Sequence, residues 1–361
     1  MIPVTKPFLP PMEEYNRYIA EIWNRQWLTN NGPLVNELEL KLKEFLNLKH
    51  LLFLTNGTIA LQIAIKAMGL KGKIITTPFS YVATTSSIVW EGCEPVFADI
   101  DPDTLNIDPD QIEKKLKAEQ NICAILATHV YGNPCDIDRI QSLADRYKVK
   151  IIYDAAHCFG TKYKGRSVFE YGDISTVSFH ATKLFHTIEG GAVITKDAEL
   201  LRKMSLLRNF GHDGPYQFSE LGINGKNSEM HAAMGLVNLR YIRQILQKRK
   251  ELSGYYSKVL KNADVTFVKL HDENEYNYSY YPVLFPTDQM TNKVIDELNK
   301  NWIYPRRYFY PSLTLLPYVN ATHMPVTDLV SSRVLCLPLF HTLTIEEIDF
   351  IARIILRVQN N

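Results

Sequence analysis

The chain has 361 residues, of which 46% are hydrophobic and 22% charged, a composition typical of a soluble globular protein with more than one core. Its formal net charge of +1 gives no electrostatic argument for binding nucleic acid or an acidic membrane. The five cysteines are odd in number and lack CxxC spacing, the N-terminus has no apolar signal core, and no apolar run approaches membrane-spanning length. We therefore expect reduced thiols and a cytoplasmic location.

Strand-like apolar runs alternate with helical patterns in the first half of the chain. An amphipathic helical pattern over 19–45 is interrupted by a turn at 29–33. Strands are predicted at 51–54, 74–77, 96–99, 123–127, 151–153, 174–177 and 192–195, and helices at 57–68, 82–90, 109–118 and 137–147. Because the strands are almost wholly apolar, they predict a mostly parallel sheet covered by helices on both faces. Functional residues are then expected where strands end and helices begin.

A long helical pattern over 228–260 is predicted to join two domains, a large one over 1–240 and a small C-terminal α+β domain over 241–361. The small domain is predicted to contain strands at 265–268, 276–285 and 334–339 and helices at 293–301 and 345–358. The polar and aromatic stretch Pro305–Pro311 is predicted to be a loop that forms a lid or a substrate wall.

The turn between the strands predicted at 174–177 and 192–195 carries an unusual group of side chains. Ser178, two histidines, Lys183 and a glutamate precede Gly190-Gly191, where the backbone can double back. A lysine held between core strands loses water around its ammonium group. That loss lowers its pKa and frees the amine as a nucleophile able to form a Schiff base with an aldehyde. The residues leave one alternative open, a surface lysine on a loop tip.

Four other positions are candidates for the same site. Asp154 ends an apolar strand and needs a partner, which in a pyridoxal phosphate enzyme is the protonated ring nitrogen; it could instead cap a following helix. His157 could hydrogen-bond such a cofactor or be a core histidine. Tyr81 could stack on its ring or pack at a helix start. Gly57-Thr58 opens a helix and suits a phosphate, although strand–glycine–helix junctions are common for steric reasons.

The order of these motifs is more informative than any one of them. In chain order they are Leu28–Pro33, Gly57-Thr58, Thr77–Thr84, Asp154-x-x-His157, Ser178-x-x-x-x-Lys183, Glu189-Gly190-Gly191 and Gly222-Ile223-Asn224. This order resembles the DegT/DnrJ/EryC1/StrS family of sugar aminotransferases over nearly the whole chain. The resemblance implies an α/β protein with the pyridoxal-phosphate-dependent transferase fold of type I. That fold has a mostly parallel sheet with helices on both faces and a smaller C-terminal α+β domain.

The resemblance also implies a role for each motif. Lys183 would bind the aldehyde of pyridoxal 5'-phosphate and later transfer the proton, Asp154 would pair with the pyridine nitrogen, and His157 would approach the phenolic oxygen. The other implied contacts are ring stacking by Tyr81, phosphate binding by Gly57, Thr58 and Ser178, and substrate binding by Asn30 and Tyr310.

One further contact would cross between the subunits of a homodimer with shared active sites, since Asn224 would reach the phosphate of the neighbouring subunit. The family often continues this motif with an aromatic residue, a basic residue and a methionine, whereas this chain has Gly225-Lys226-Asn227. Whether Asn224 or Asn227 makes the contact is therefore open.

The implied reaction moves the amino group of L-glutamate onto a nucleotide-linked keto-deoxysugar. Residues 29–33 and 181–187 are most similar to enzymes that convert dTDP-4-keto-6-deoxy-D-glucose into dTDP-4-amino-4,6-dideoxy-D-glucose for O-antigen and other cell-surface polysaccharides. The alternatives are amination at carbon 3, amination of a UDP- or GDP-linked sugar, or a non-catalytic cofactor- or nucleotide-binding protein. The family's deoxygenating branch has histidine in place of the lysine, so Lys183 argues against it. No metal, nucleic acid or membrane partner is expected.

Overall fold

A seven-stranded sheet organises the first part of the chain in the computed structural model, which describes residues 1–272 and 275–360. Its strands are β1 (His50–Leu54), β2 (Lys73–Thr76), β3 (Glu94–Phe97), β4 (Ile122–Thr128), β5 (Lys150–Asp154), β6 (Ile174–Ser178) and β7 (Gly191–Thr195). The spatial order is β1-β7-β6-β5-β4-β2-β3. Strand β7 is antiparallel to both neighbours and the other adjacent pairs are parallel, which confirms the mostly parallel sheet.

Helices connect these strands and cover the sheet. They are α1 (Met12–Arg25), α2 (Pro33–Leu46), α3 (Gly57–Ala67), α4 (Val82–Trp90), α5 (Pro109–Ala118), α6 (Ile137–Tyr147), α7 (Ala198–Leu207) and α8 (Glu229–Val259). Helix α1 begins at Met12 rather than at the predicted residue 19. Pro11 immediately precedes this helix. A proline is tolerated at the start of a helix but not in its interior.

Alternate side chains of the strands enter two apolar clusters, one on each face of the sheet. In β1, for example, Leu51 and Phe53 belong to one cluster and Leu52 and Leu54 to the other, as the period of two along a strand requires. Because both faces are apolar, both need helices. Residues of α2, α6 and α8 join the first cluster, and residues of α3 and α7 join the second.

Helix α8, which Ser228 caps with its side chain, runs from this sheet into the C-terminal part of the chain. That part contains β8 (Thr266–Phe267), β9 (Tyr281–Leu284), α9 (Asp288–Lys300), α10 (Pro325–Arg333), β10 (Val334–Leu337) and α11 (Ile345–Asn360). Its three strands form an antiparallel sheet in the order β8-β9-β10. The division at residue 240 stays a prediction, and that position lies within α8.

The C-terminal part is attached to the end of β3 by a buried carboxylate. Asp99 accepts hydrogen bonds from the backbone nitrogens of Val326 and Thr327, both at 2.9 Å, at the start of α10. A further apolar cluster contains Phe79 and Tyr131 from one side and Phe309 from the other. These contacts bring the loop 305–311 towards the carboxyl edge of the large sheet. Among the described residues, no helix has both the length and the apolar character needed to cross a membrane.

Candidate active site

Three strands of the large sheet end close together. Asp154 is the last residue of β5, Ser178 is the last residue of β6, and β1 ends at Leu54, shortly before the start of α3. The carboxyl ends of parallel strands share one edge of a sheet, which is where α/β proteins place their ligands. One small cavity is lined by residues at and after the ends of β5 and β6, together with Ser279 and Tyr280, so the structure brings the ends of β5 and β6 into one site.

Lys183 lies in the loop between β6 and β7 and is partly buried. Burial lowers the pKa of Lys183 to about 8, although the nearby carboxylate of Asp154 acts in the opposite direction. The Nζ atom lies 6.0 Å from the ring centroid of Tyr280. An ordinary lysine has a pKa of about 10.4. At neutral pH the neutral form of Lys183 is therefore far more populated than that of an ordinary lysine. Because Lys183 is partly buried and lines the same cavity as His157 and Tyr280, the alternative of a surface lysine on a loop tip is wrong.

The loop is held in a tight shape by backbone hydrogen bonds and by two glycines. Phe179 donates to the carbonyl oxygen of Gly190 at 2.7 Å, and Thr187 donates to that of Phe179 at 2.9 Å. A Cβ atom on Gly190 would lie 2.0 Å from Oγ1 of Thr187, and one on Gly191 would lie 2.5 Å from the backbone of Asn56. The Gly-Gly pair is thus required by close approach of the backbone to neighbouring atoms.

Asp154 is buried and is held by two hydrogen bonds. Its Oδ2 atom accepts from Oγ1 of Thr84 at 2.7 Å and its Oδ1 atom from the backbone nitrogen of Ala156 at 3.2 Å. Burial raises the pKa of Asp154, while these hydrogen bonds and Lys183 oppose the rise. The helix-cap alternative is wrong, because no helix follows Asp154 before the two-residue strand that starts at Lys162. Thr84 lies within the motif 77–84, but no local pattern distinguishes it from the neighbouring Thr85.

His157 is buried between two aromatic side chains that are distant in sequence. Its ring lies nearly parallel to that of Phe309, with centroids 5.9 Å apart, and meets the ring of Tyr280 edge-on at 5.0 Å. Burial, and then the charge of Lys183, lower its pKa, so the imidazole is neutral. Its Nδ1 atom has no hydrogen-bond partner within residues 1–272 and 275–360. Phe309 lies in the predicted wall loop, whereas no local signal identified Tyr280.

The start of α3 faces Ser178. Asn56 caps this 11-residue helix by accepting a hydrogen bond from the backbone nitrogen of Ile59 at 2.8 Å. A Cβ atom on Gly57 would lie 3.0 Å from that of Ser178, and the next residue, Thr58, is exposed. A helix N-terminus with free N–H groups and two adjacent hydroxyl groups has the donors that a phosphate needs.

Tyr81 immediately precedes α4 and does not pack into the core. Its side chain is 60% exposed, and it lies near enough to Lys183 to act against the lowering of the lysine pKa. The alternative that Tyr81 is a packing residue at a helix start is therefore wrong. An exposed ring beside the amine is available to a planar ligand.

The two candidate asparagines differ in their surroundings. Asn227 is buried, and its side-chain amide donates to the backbone oxygens of Leu54 at 3.2 Å and Glu189 at 3.0 Å. Asn224 is exposed, and its backbone pairs with Asn209. In the single chain, therefore, Asn227 has its partners and Asn224 presents its side chain to the surface.

The two predicted substrate contacts also lie at the surface. Asn30 is in the turn between α1 and α2 with φ of 63°, a left-handed conformation that asparagine tolerates well. The side chain of Tyr310 is 55% exposed, and the Arg307 guanidinium lies 4.0 Å from its ring centroid. No hydrogen bond in the described part of the chain joins Asn30 or Tyr310 to Lys183.

Known proteins resemble this chain over its whole length. The model of the DegT/DnrJ/EryC1/StrS aminotransferase family matches residues 11–356. The dTDP-4-amino-4,6-dideoxy-D-glucose transaminase of Shigella dysenteriae is 41% identical over 365 residues, covering 99% of this chain and 98% of that protein. The Escherichia coli protein of the same name is 38% identical over 369 residues, covering 98% of both.

The fold is likewise shared with solved structures. DesI, crystallised in the presence of its TDP-sugar product, superposes with a TM-score of 0.93 at 32% identity, covering 99% of this chain and 93% of that one. The Bacillus subtilis protein NtdA, with bound cofactor PMP, superposes with a TM-score of 0.90 at 26% identity, covering 97% and 82%.

Proposed function

Because the chain belongs to the DegT/DnrJ/EryC1/StrS aminotransferase family, whose members depend on pyridoxal phosphate and aminate nucleotide-linked sugars, we propose its specific reaction. It transfers the amino group of L-glutamate to carbon 4 of dTDP-4-keto-6-deoxy-D-glucose and forms dTDP-4-amino-4,6-dideoxy-D-glucose. Support for this sugar comes from two proteins named for that product, which are 41% and 38% identical over nearly their whole length. The product would serve the synthesis of O-antigen or another cell-surface polysaccharide.

The residues around Lys183 fit pyridoxal phosphate. The buried carboxylate of Asp154 matches a protonated ring nitrogen, and the unpartnered Nδ1 atom of His157 matches an oxygen on the ring. Gly57, where a side chain would crowd Ser178, leaves room for a phosphate at the start of α3. When bound, the cofactor supplies an electron sink and carries the amino group between donor and acceptor.

The observation on which the proposed chemistry rests is the proximity of a lysine of lowered pKa to a buried carboxylate. With a pKa of about 8, Lys183 can both accept and release a proton near neutral pH, as a general acid–base must. It would also hold the cofactor covalently. Asp154 would keep a negative charge at the ring nitrogen, and Tyr81 would cover the ring. Neutral His157 would orient the cofactor through its free ring nitrogen.

We further propose that the enzyme is a homodimer with shared sites. The loop around Asn224 exposes large apolar side chains, with Phe218 64% and Leu221 78% exposed. Apolar groups gathered on one surface are typical of a protein–protein contact, and a second copy of the chain would cover them. Asn224, which is exposed beside them, would then reach the phosphate in the neighbouring subunit, while the occupied amide of Asn227 makes the alternative contact less favourable.

A cytoplasmic location completes the proposal. The five cysteines at positions 93, 123, 135, 158 and 336 are free, and four of them are buried. Unpaired thiols without a disulfide framework are typical of proteins in a reducing compartment.

The experiment that tests this function is a panel of keto-sugars. Purified enzyme with L-glutamate is offered the 4-keto and 3-keto forms of dTDP-linked 6-deoxyglucose and the 4-keto forms linked to UDP and GDP. NMR then locates the new amine. We expect the dTDP-4-keto sugar to react with the highest kcat/KM and to carry an equatorial amine at carbon 4. Preferred amination at carbon 3 or of another nucleotide sugar would overturn the assignment, and cofactor binding without any amino sugar would favour a non-catalytic protein.

A further inference from the structure

Three buried hydroxyl groups form a chain that ends on the carboxylate of Asp154. Oγ1 of Thr128 lies 3.0 Å from Oγ of Ser80, which lies 2.7 Å from Oγ1 of Thr84, which lies 2.7 Å from Oδ2 of Asp154. None of the four residues is more than 5% exposed. Thr128 is the last residue of β4 and is directly paired with Asp154 in the sheet, while Ser80 and Thr84 flank the start of α4.

The direction of these hydrogen bonds follows from the chemistry of the groups. An ionised carboxylate only accepts, so Thr84 must donate its single hydroxyl hydrogen to Asp154. The oxygen of Thr84 then accepts from Ser80, and the oxygen of Ser80 accepts from Thr128. All three O–H dipoles therefore point their positive ends towards the carboxylate. In a buried chain each such bond polarises the next and strengthens it.

This chain opposes the main force that acts on Asp154. Burial disfavours a charged carboxylate, and hydrogen bonds donated to the charged form restore it. The ionisable groups facing Asp154 are the ammonium of Lys183, which also favours the charge, and the thiol of Cys158, whose own pKa is raised by burial. Lys183 is not the sole support, because Thr84 and the backbone nitrogen of Ala156 donate hydrogen bonds to the carboxylate. The hydroxyl groups of Thr84, Ser80 and Thr128 do not ionise below pH 10, so their hydrogen bonds do not depend on pH in this range.

We propose that Thr84, supported by Ser80 and Thr128, is a positioning residue that keeps Asp154 ionised and correctly rotated towards the cofactor's ring nitrogen, a claim that rests on the role proposed above for Asp154. Thr84 is the third residue of α4, and Tyr81 immediately precedes that helix. The residue that precedes α4 therefore carries the exposed ring, and the first turn of α4 carries the hydroxyl that holds the carboxylate.

The neighbouring residue provides a matched control. Thr85 is also fully buried in α4, but its Oγ1 atom has no hydrogen-bond partner in the described part of the chain. Thr84→Val and Thr85→Val make the same change of hydroxyl to methyl at adjacent buried positions. Only the first removes a donor to Asp154, whereas Thr84→Ser keeps the donor.

The direct readout is the ¹⁵N NMR shift of the ring nitrogen in enzyme reconstituted with ¹⁵N-labelled pyridoxal phosphate, which reports protonation independently of turnover. We expect Thr84→Val to move this shift towards the unprotonated value at pH 8 and to lower kcat with glutamate about 10- to 100-fold, the loss of one hydrogen bond to a charged group. Little change is expected in the KM for glutamate. Thr84→Ser should restore both values, and Thr85→Val should match wild type.

If Thr84→Val does not fold, Ser80→Ala provides the test of the hydroxyl chain instead. It breaks the chain one bond further from Asp154, so the same displacement of the nitrogen signal is expected with a smaller amplitude. A wild-type nitrogen signal in both Thr84→Val and Ser80→Ala, or an equal displacement in Thr85→Val, would overturn the proposal. The signal does not depend on which sugar is aminated, so an error in the proposed substrate would leave this test intact.

Discussion

The side-chain amide of Asn227 donates to the backbone oxygen of Glu189 at 3.0 Å. This bond ties the residue just before the cap of α8 to the loop that carries Lys183. A second bond from the same amide, to Leu54 at 3.2 Å, connects it to the end of β1. Asn227 therefore braces the site within its own chain, and Asn224 remains the better candidate for a contact across subunits.

This difference predicts the outcome of a mixing experiment. Lys183→Ala and Asn224→Ala proteins, each nearly inactive alone, are unfolded and refolded together in equal amounts. If Asn224 serves the neighbouring subunit, each mixed dimer has one site with both residues intact. Random pairing makes half of the dimers mixed, so activity should return to about a quarter of wild type.

Two controls make that result decisive. Native mass spectrometry must show the mixed dimers, and no activity should return when either variant is refolded alone. No rescue despite confirmed mixed dimers would contradict the shared site. Rescue by Asn227→Ala in place of Asn224→Ala would instead assign the contact to Asn227, for which we expect only a loss of stability of about 1–3 kcal/mol from the two unsatisfied carbonyl groups.

Replacing Lys183 by alanine should abolish transamination, because the proposed mechanism assigns both the covalent hold on the cofactor and the moving proton to its Nζ atom. Wild-type protein should be yellow and should lose this colour when glutamate is added, whereas the variant should turn over neither glutamate nor sugar. Absorbance and product analysis measure the two effects. Lys196→Ala, at an exposed lysine after β7, is the control and should behave as wild type. Near wild-type turnover by the Lys183 variant would contradict the mechanism.

The substitution Asp154→Asn should show whether the role of Asp154 depends on its negative charge rather than on its size and shape. The amide is nearly isosteric with the carboxylate, so the fold and cofactor binding should largely survive, but it offers the ring nitrogen no negative charge. Turnover should fall by orders of magnitude. Steady-state kinetics measure the loss, and cofactor absorbance confirms that the site is filled. Unchanged turnover would mean that Asp154 has only a structural role.

The lowered pKa of Lys183 predicts how the stability of the cofactor-free protein depends on pH. Lysine titrates near pH 10.4 in the unfolded chain and at about 8 in the folded one. Between these values the unfolded chain binds more protons, so the stability contributed by this group rises with pH. Below pH 8 Lys183 is charged in both the folded and the unfolded protein, so burial of its charge lowers the free energy of unfolding by the full amount.

Removing that charge should therefore stabilise the cofactor-free protein at neutral pH. We expect Lys183→Met to raise the free energy of unfolding by about 1–3 kcal/mol at pH 7, with the difference shrinking towards zero as the pH approaches 10.4. Urea denaturation at several pH values provides the measurement. A difference that is the same at pH 7 and pH 10 would indicate packing rather than charge.

Local patterns predicted the seven strands of the large sheet and helices α3 to α6 and α8, whereas α7 was not predicted and α1 begins at Met12 rather than at residue 19. The bounds of α4, α5 and α6 agree with the sequence pattern at both ends, because apolar spacing and the capping side chains of Asp108 and Asp136 act over one or two turns. The same locality explains why the motifs around Lys183 and Asp154 were found, since each occupies a few consecutive residues at the end of a strand.

Only the tertiary structure decided which side chains complete the site. Phe309 and Tyr280 enclose His157 from more than 120 positions away, and Thr84 reaches Asp154 across 70 residues. Asn227 was distinguished from Asn224 by a bond to Glu189 on another element. Such contacts depend on strand order and on the packing of the C-terminal part against the sheet, and these arise from burial summed over distant residues rather than from spacing within any one segment.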